Sequence, residues 1–161
     1  MSVTHNVRRI REARGLSYAE LSRQLADMGR QIPPLGLRRI ESGERRVDAD
    51  DLVALAIALG VTPITLLMPY TKNEDTCVEV TGLSEPVRDT TLWNWLQARI
   101  PISGNVGGDS LHEWLSFTLA TWPTWMVREI DEAVRRGLTE ERARTALDMR
   151  IGKAANREED R

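Results

Sequence analysis

Two histidines and one cysteine are the side chains best suited to metal ligation or nucleophilic attack, and their positions assemble neither. His5 and His112 lie in opposite halves of the chain, and Cys77 has no histidine beside it. A zinc site draws several such ligands from short local spacings. A single cysteine builds neither a disulfide framework nor a thiolate cluster. The glycine-rich run SGNVGGDS (103–110) lacks the lysine and the spacing of a phosphate-binding loop. The acidic groups DADD (48–51) and EED (158–160) read as a helix N-terminus and a solvated tail, not as a catalytic carboxylate pair. No enzymatic activity, metal or cofactor is expected.

The chemistry that remains is that of arginine. The stretch RQIPPLGLRRIESGERRVDADDL (30–52) carries Arg30, Arg38, Arg39, Arg45 and Arg46 and no lysine. Residues 8–46 hold 10 arginines against 5 acids, a net of +5, whereas residues 71–161 hold 12 basic against 16 acidic side chains, a net of −4. The overall charge of −2 hides this asymmetry. A guanidinium is a planar fork that fits phosphate and guanine edges. An arginine bias fits a GC-rich coding genome equally well. A basic N-terminal part joined to an acidic remainder places polyanion binding in the former.

At 161 residues, 41% hydrophobic and 29% charged, the chain has the composition of a globular protein with room for one domain, or a small domain plus an appendage. It has no apolar run of about 18 residues, so no membrane span is expected. Its first residues, MSVTHNVRRIREARG, lack the apolar core of a signal peptide. A cytoplasmic location follows as an expectation.

Turn and cap signals divide residues 1–69 into five short helices. The first runs over 5–14 with Val7 and Ile10 inward, and Gly15 stops it. Ser17 and Glu20 form a capping box flanked by Leu16 and Leu21, so a second helix starts at Ser17 and presents Leu21, Leu25 and Met28. Pro33 and Pro34 interrupt the chain. Pro34 suits the first turn of a third helix over 34–42, closed by Gly43. Its inner face carries Leu37 and Ile40, and its outer face carries Leu35, Arg38, Arg39 and Ser42. Asp48 or Asp50 caps a fourth helix with the stripe Leu52, Leu55, Ala56 and Leu59. Thr62-Pro63 starts a fifth over 64–68.

The segments ARGLS, RIESGERR and LVALAIALGVTP, in this order over residues 7–69, resemble the Xre-type, λ-repressor-like helix-turn-helix family. The turn ADMGRQIPP is longer than the family's usual one and is similar to that of actinobacterial regulators and actinophage repressors. The resemblance implies an all-α DNA-binding domain whose third helix enters the major groove. It places Ser17 and Tyr18 at a phosphate beside the N-terminus of helix two. It puts Gln31, Pro34, Leu35, Arg38, Arg39 and Ser42 on the DNA side. Arg38 or Arg39 would reach guanine, Pro34 or Leu35 a thymine methyl, and Arg30, Arg45 and Arg46 phosphates. Competing readings stand beside these: Arg39 touching phosphate only, Arg45 pairing with Glu41, Tyr18 packing on the domain surface. The Ala-Gly cleavage site and Ser/Lys dyad of self-cleaving λ-type repressors are not found in the C-terminal part.

Residues 70–82 read as a linker with one short strand near 77–81. Residues 83–152 read as a smaller helical region, with a helix start at Ser84-Glu85-Pro86, a cap at Asp109 or Ser110, and further helices over 124–136 and from Thr139. The tail 153–161 is charged. All five tryptophans (Trp93, Trp95, Trp114, Trp122 and Trp125) fall in this region. They suit a small core, an interface for self-association or a protein partner, or base stacking. The expected function is transcriptional repression by operator occupancy, as in a phage immunity repressor that maintains lysogeny, with double-stranded DNA as partner and a homodimer through the C-terminal half. The alternatives are a host-encoded regulator and an antitoxin whose second half holds a protein.

Overall fold

The computed structural model describes residues 2–71, 76–102 and 111–128. The chain divides into two compact units, Met1–Gln97 and Ala98–Arg161. The first unit opens with five helices: α1 (Ser2–Ala13), α2 (Tyr18–Asp27), α3 (Pro34–Ser42), α4 (Ala49–Ala58) and α5 (Pro63–Leu67). Helix α1 packs on α5 and α3, and α2 packs on α3 and α4. Val7, Ile10, Leu21, Leu25, Leu37, Ile40, Leu55, Ala56, Leu59 and Leu66 meet in one buried core. These are the residues that recur at helical spacing on each segment, so burial of one stripe per helix fixes which face of α3 is left outside.

Each boundary has a local cause. Ser17 Oγ accepts from the Glu20 N–H (3.2 Å) while the Glu20 carboxylate accepts from the Ser17 N–H (2.8 Å), the reciprocal box read from the sequence. Pro34 occupies the first turn of α3, and Gly43, at φ 80°, supplies the left-handed residue that ends it. Asp48 caps α4 by accepting from the Asp51 N–H at 2.7 Å, and Thr62 caps α5. Helix α2 ends at Asp27, so Met28, expected on its inner face, is the C-cap and is 43% exposed. The apolar anchor of the following turn is Ile32, which is fully buried and whose carbonyl accepts from Ser22 Oγ at 2.7 Å.

Hydrogen bonding holds Glu20 below the usual carboxylate range, chiefly through the Ser17 hydroxyl, and Asp48 likewise, chiefly through the Asp51 N–H. A depressed folded-state pKa contributes stability that is present above the unfolded value near 4 and is lost as pH falls through the folded value. Ser17→Ala is therefore expected to cost about 1 kcal/mol near neutral pH. It should also flatten part of the loss of stability on acidification. Urea midpoints measured by circular dichroism between pH 3 and 7 check both.

Beyond the fifth helix, β1 (Cys77–Val78) pairs antiparallel with β2 (Val87–Arg88), Val78 opposite Val87. The strand expected near 77–81 therefore has its partner within the chain. The helix start expected at Ser84-Glu85-Pro86 is not there: these residues lie in the hairpin connection, and α6 (Asp89–Leu96) begins after β2. The β-branched Val87 extends the backbone to oppose Val78, and the Asp89 N–H donates to Thr76 O (2.9 Å), closing the hairpin against the helix start. Asp89 is buried and accepts from Thr71 Oγ1 at 2.7 Å.

In the second unit α7 (Leu111–Thr121) ends before Pro123, and residues 124–128 are helical again. Trp122 donates its ring N–H to Ala98 O at 2.6 Å. None of the five tryptophans is buried: Trp93 is 40% and Trp125 66% exposed, and the other three are half-buried. The caps expected at Asp109 or Ser110 and the helix from Thr139 lie outside the described residues.

Candidate nucleic-acid interface

Burying Leu37 and Ile40 turns the opposite face of α3 outward. Pro34, Leu35, Arg38, Arg39 and Ser42 are all exposed there, Leu35 to 59%. Gln31 is exposed in the turn before the helix. Its neighbour Ile32 is sunk in the core, so the turn is anchored where it presents Gln31. The Ser42 hydroxyl donates back to Arg39 O at 3.2 Å.

The arginines fall into two groups by what they already touch. Arg30 Nε donates to Asp51 Oδ1 and its Nη2 to Asp48 Oδ2, each at 2.7 Å. Arg45 Nη2 donates to the other Asp51 oxygen at 2.9 Å. Asp51 is buried, so two guanidinium groups compensate one desolvated carboxylate and lash the long turn and the turn after α3 to the start of α4. Gly36 makes room for this: a Cβ there would stand 2.9 Å from Arg45 Nη1. Arg38, Arg39 and Arg46, by contrast, are exposed, and none has a carboxylate within ion-pair distance among the described residues.

A second cluster joins α1, α2 and α3. Arg11 grips Glu41 with two hydrogen bonds, Nε to Oε1 at 2.6 Å and Nη2 to Oε2 at 2.9 Å, and donates a third to Leu16 O at 2.9 Å. Tyr18 donates its hydroxyl to Glu41 Oε2 at 2.8 Å. Partial burial, and then the Glu41 carboxylate, push the Tyr18 hydroxyl above its usual pKa, so it stays protonated and donates. The Arg11 and Arg38 guanidinium carbons lie 4.2 and 5.3 Å from the Tyr18 ring centre.

The structure thus brings Tyr18 and Arg38 together across α2 and α3, and Arg30 and Arg45 together on Asp51. Glu41, considered as the partner of Arg45, belongs instead to Arg11 and Tyr18. The i, i+4 geometry that would join Glu41 to Arg45 stops at Gly43, where the chain turns back and the Arg45 N–H donates to Arg39 O at 2.9 Å. Sequence reasoning missed Arg11, Asp51 and Gly36. A signal existed for Arg11, which lies four residues after Val7 on the inward face of α1.

Five short helices with an amphipathic third, basic on its outside, form an N-terminal helix-turn-helix domain. Residues 7–66 match a helix-turn-helix family model (HTH_3). This match supports a sequence-specific DNA-binding regulator of the Xre-like kind. No match was found among curated proteins or among solved structures. Among the described residues no group of His, Cys, Asp or Glu is placed to hold a metal ion, and no helix is long and apolar enough to cross a membrane.

Proposed function

We propose that this chain is a transcriptional repressor that acts by occupying an operator, with α3 in the major groove. The observation that carries this reading is the split among the arginines. The outer face of α3 keeps Arg38 and Arg39 clear of carboxylates, beside the exposed Gln31 and Leu35, while Arg30 and Arg45 are tied to Asp51. Arg38 or Arg39 reads a guanine edge as a bidentate donor, and Leu35 gives apolar contact to a thymine methyl. By its resemblance to actinophage repressors in the turn before α3, the protein acts as an immunity repressor on lytic promoters. Selection of bound fragments from the source genome, followed by footprinting, tests this. Fragments lying over a promoter support it, and binding without sequence preference rules it out.

The ion pairs also rank the phosphate contacts. Arg46→Ala is expected to lower the slope of log affinity against log salt by about one. Arg45→Ala should alter it less, because its guanidinium already neutralises Asp51, and should lower the urea midpoint instead. Equal salt slopes for the two variants would refute the ranking.

One domain with a handful of phosphate contacts binds weakly at physiological salt, so two half-sites about one DNA turn apart call for a dimer. The exposed Trp93 and Trp125 supply large apolar surface of the kind enriched at interfaces. The full chain is expected to scatter light as a dimer, and Trp93→Ser with Trp125→Ser to shift it to monomer. A monomeric parent chain at micromolar concentration removes this part of the reading.

A further inference from the structure

We infer that Tyr18 is a positioning residue for sequence recognition: its ring, fixed against Glu41, holds the Arg38 guanidinium ready for a base edge. The inference rests on the reading of α3 as the groove-entering helix, and it gives Tyr18 a role other than a phosphate contact. The Tyr18 hydroxyl is already committed, donating to Glu41 Oε2 at 2.8 Å. Glu41 is itself immobilised by both Arg11 hydrogen bonds, at 2.6 and 2.9 Å. Arg11, nearly buried and bonded also to Leu16 O, lies 4.2 Å from the ring centre and fixes the ring's orientation.

The Arg38 guanidinium also lies over this fixed ring, 5.3 Å from its centre, inside the range in which a guanidinium is attracted to a ring. Arg39, one residue on, has no aromatic or carboxylate partner among the described residues. The two adjacent arginines therefore differ in their order before DNA arrives. A long side chain loses rotamer freedom when it docks on a base, and ordering it beforehand lowers that cost. Arg38 becomes the base reader, and Arg39 is left to reach phosphate. A chain of contacts from the α1 core through Glu41 and Tyr18 sets the geometry of one base contact.

The test uses the full chain and the sequence recovered by fragment selection, measuring binding to that duplex and to variants at each base pair. Arg38→Ala should relax preference at one base pair. Tyr18→Leu should relax preference at that same pair, by about fivefold, leave non-specific affinity and the salt slope unchanged, and have no further effect in the Arg38→Ala background. Tyr18→Phe keeps the ring and should keep most of the preference. In the DNA-free wild-type chain, ring current should shift the Arg38 side-chain δ protons upfield of those of Arg39, a readout that needs no variant. A recovered sequence with preference unchanged in Tyr18→Leu, an equal further loss in the Arg38→Ala background, or equal proton shifts overturns the inference alone. Recovery of no preferred sequence overturns the reading of α3, and the inference with it.

Discussion

Replacing Arg38 and Arg39 together with alanine is expected to abolish sequence-specific DNA binding while leaving the fold intact. Both side chains stand on the exposed face of α3, and neither is tied to a carboxylate among the described residues. Their truncation removes no packing from the core formed by Leu37 and Ile40 on the other face. Surface changes of this kind alter stability by no more than about 0.5 kcal/mol. A bidentate arginine–guanine contact discriminates by about 1–3 kcal/mol, so losing it should cost on the order of ten- to a hundredfold in preference, and the second arginine's loss weakens binding further. Gel shifts against preferred and scrambled duplexes, with urea midpoints for both proteins, separate the two effects. Undiminished preference in the double variant would mean that α3 does not read bases. The single variants divide the roles further. Arg38→Ala should relax the preference at one base pair, whereas a pure phosphate contact at Arg39 would appear as a smaller salt slope with the preference kept.

The outline of α3 was legible in the sequence because its limits are set by local covalent geometry. Pro34 fixes the backbone of the first turn, Gly43 adopts a left-handed conformation that most residues avoid, and Leu37 and Ile40 mark one face. The same holds for Ser17 and Glu20, three residues apart and paired as expected. What the chain pattern did not reveal were pairings between groups far apart in sequence. Arg11 and Glu41 are separated by 30 positions, and Arg30 and Asp51 by 21. Composition says that arginines exceed acids in this region, but only the packing of α1, α2 and α4 around α3 decides which arginines are neutralised. Within residues 30–52 that decision removes Arg30 and Arg45 from the freely available cations and leaves Arg38, Arg39 and Arg46. The second strand was missed for a related reason. Ser84-Glu85-Pro86 has the composition of a helix start, and the competing hairpin becomes visible only once Val87 is seen opposite Val78.

Glu41→Ala should be among the most destabilising single changes in the helix-turn-helix domain. The side chains of Arg11 and Glu41 are only 9% and 3% exposed, and two hydrogen bonds join them. Removing the carboxylate leaves the guanidinium with Leu16 O as its remaining hydrogen-bond partner and only the exposed Glu12 carboxylate, 3.6 Å away, as a counter-charge, and strips the Tyr18 hydroxyl of its acceptor. Breaking one side of a buried pair costs about 3–5 kcal/mol, a large share of the roughly 5–15 kcal/mol that holds an ordinary domain together. Glu41→Gln retains a carbonyl acceptor of the same shape and should cost less. Arg11→Met with Glu41→Leu removes both charges, and should recover much of the loss, because the desolvation of two ions disappears with their attraction. Urea unfolding of the full chain followed at 222 nm by circular dichroism ranks the three variants. If Glu41→Ala falls within 1 kcal/mol of the parent chain by the linear extrapolation, Arg11 finds water or another acceptor on its own. The cluster would then be a surface decoration and not the brace that joins α1 and α2 to α3.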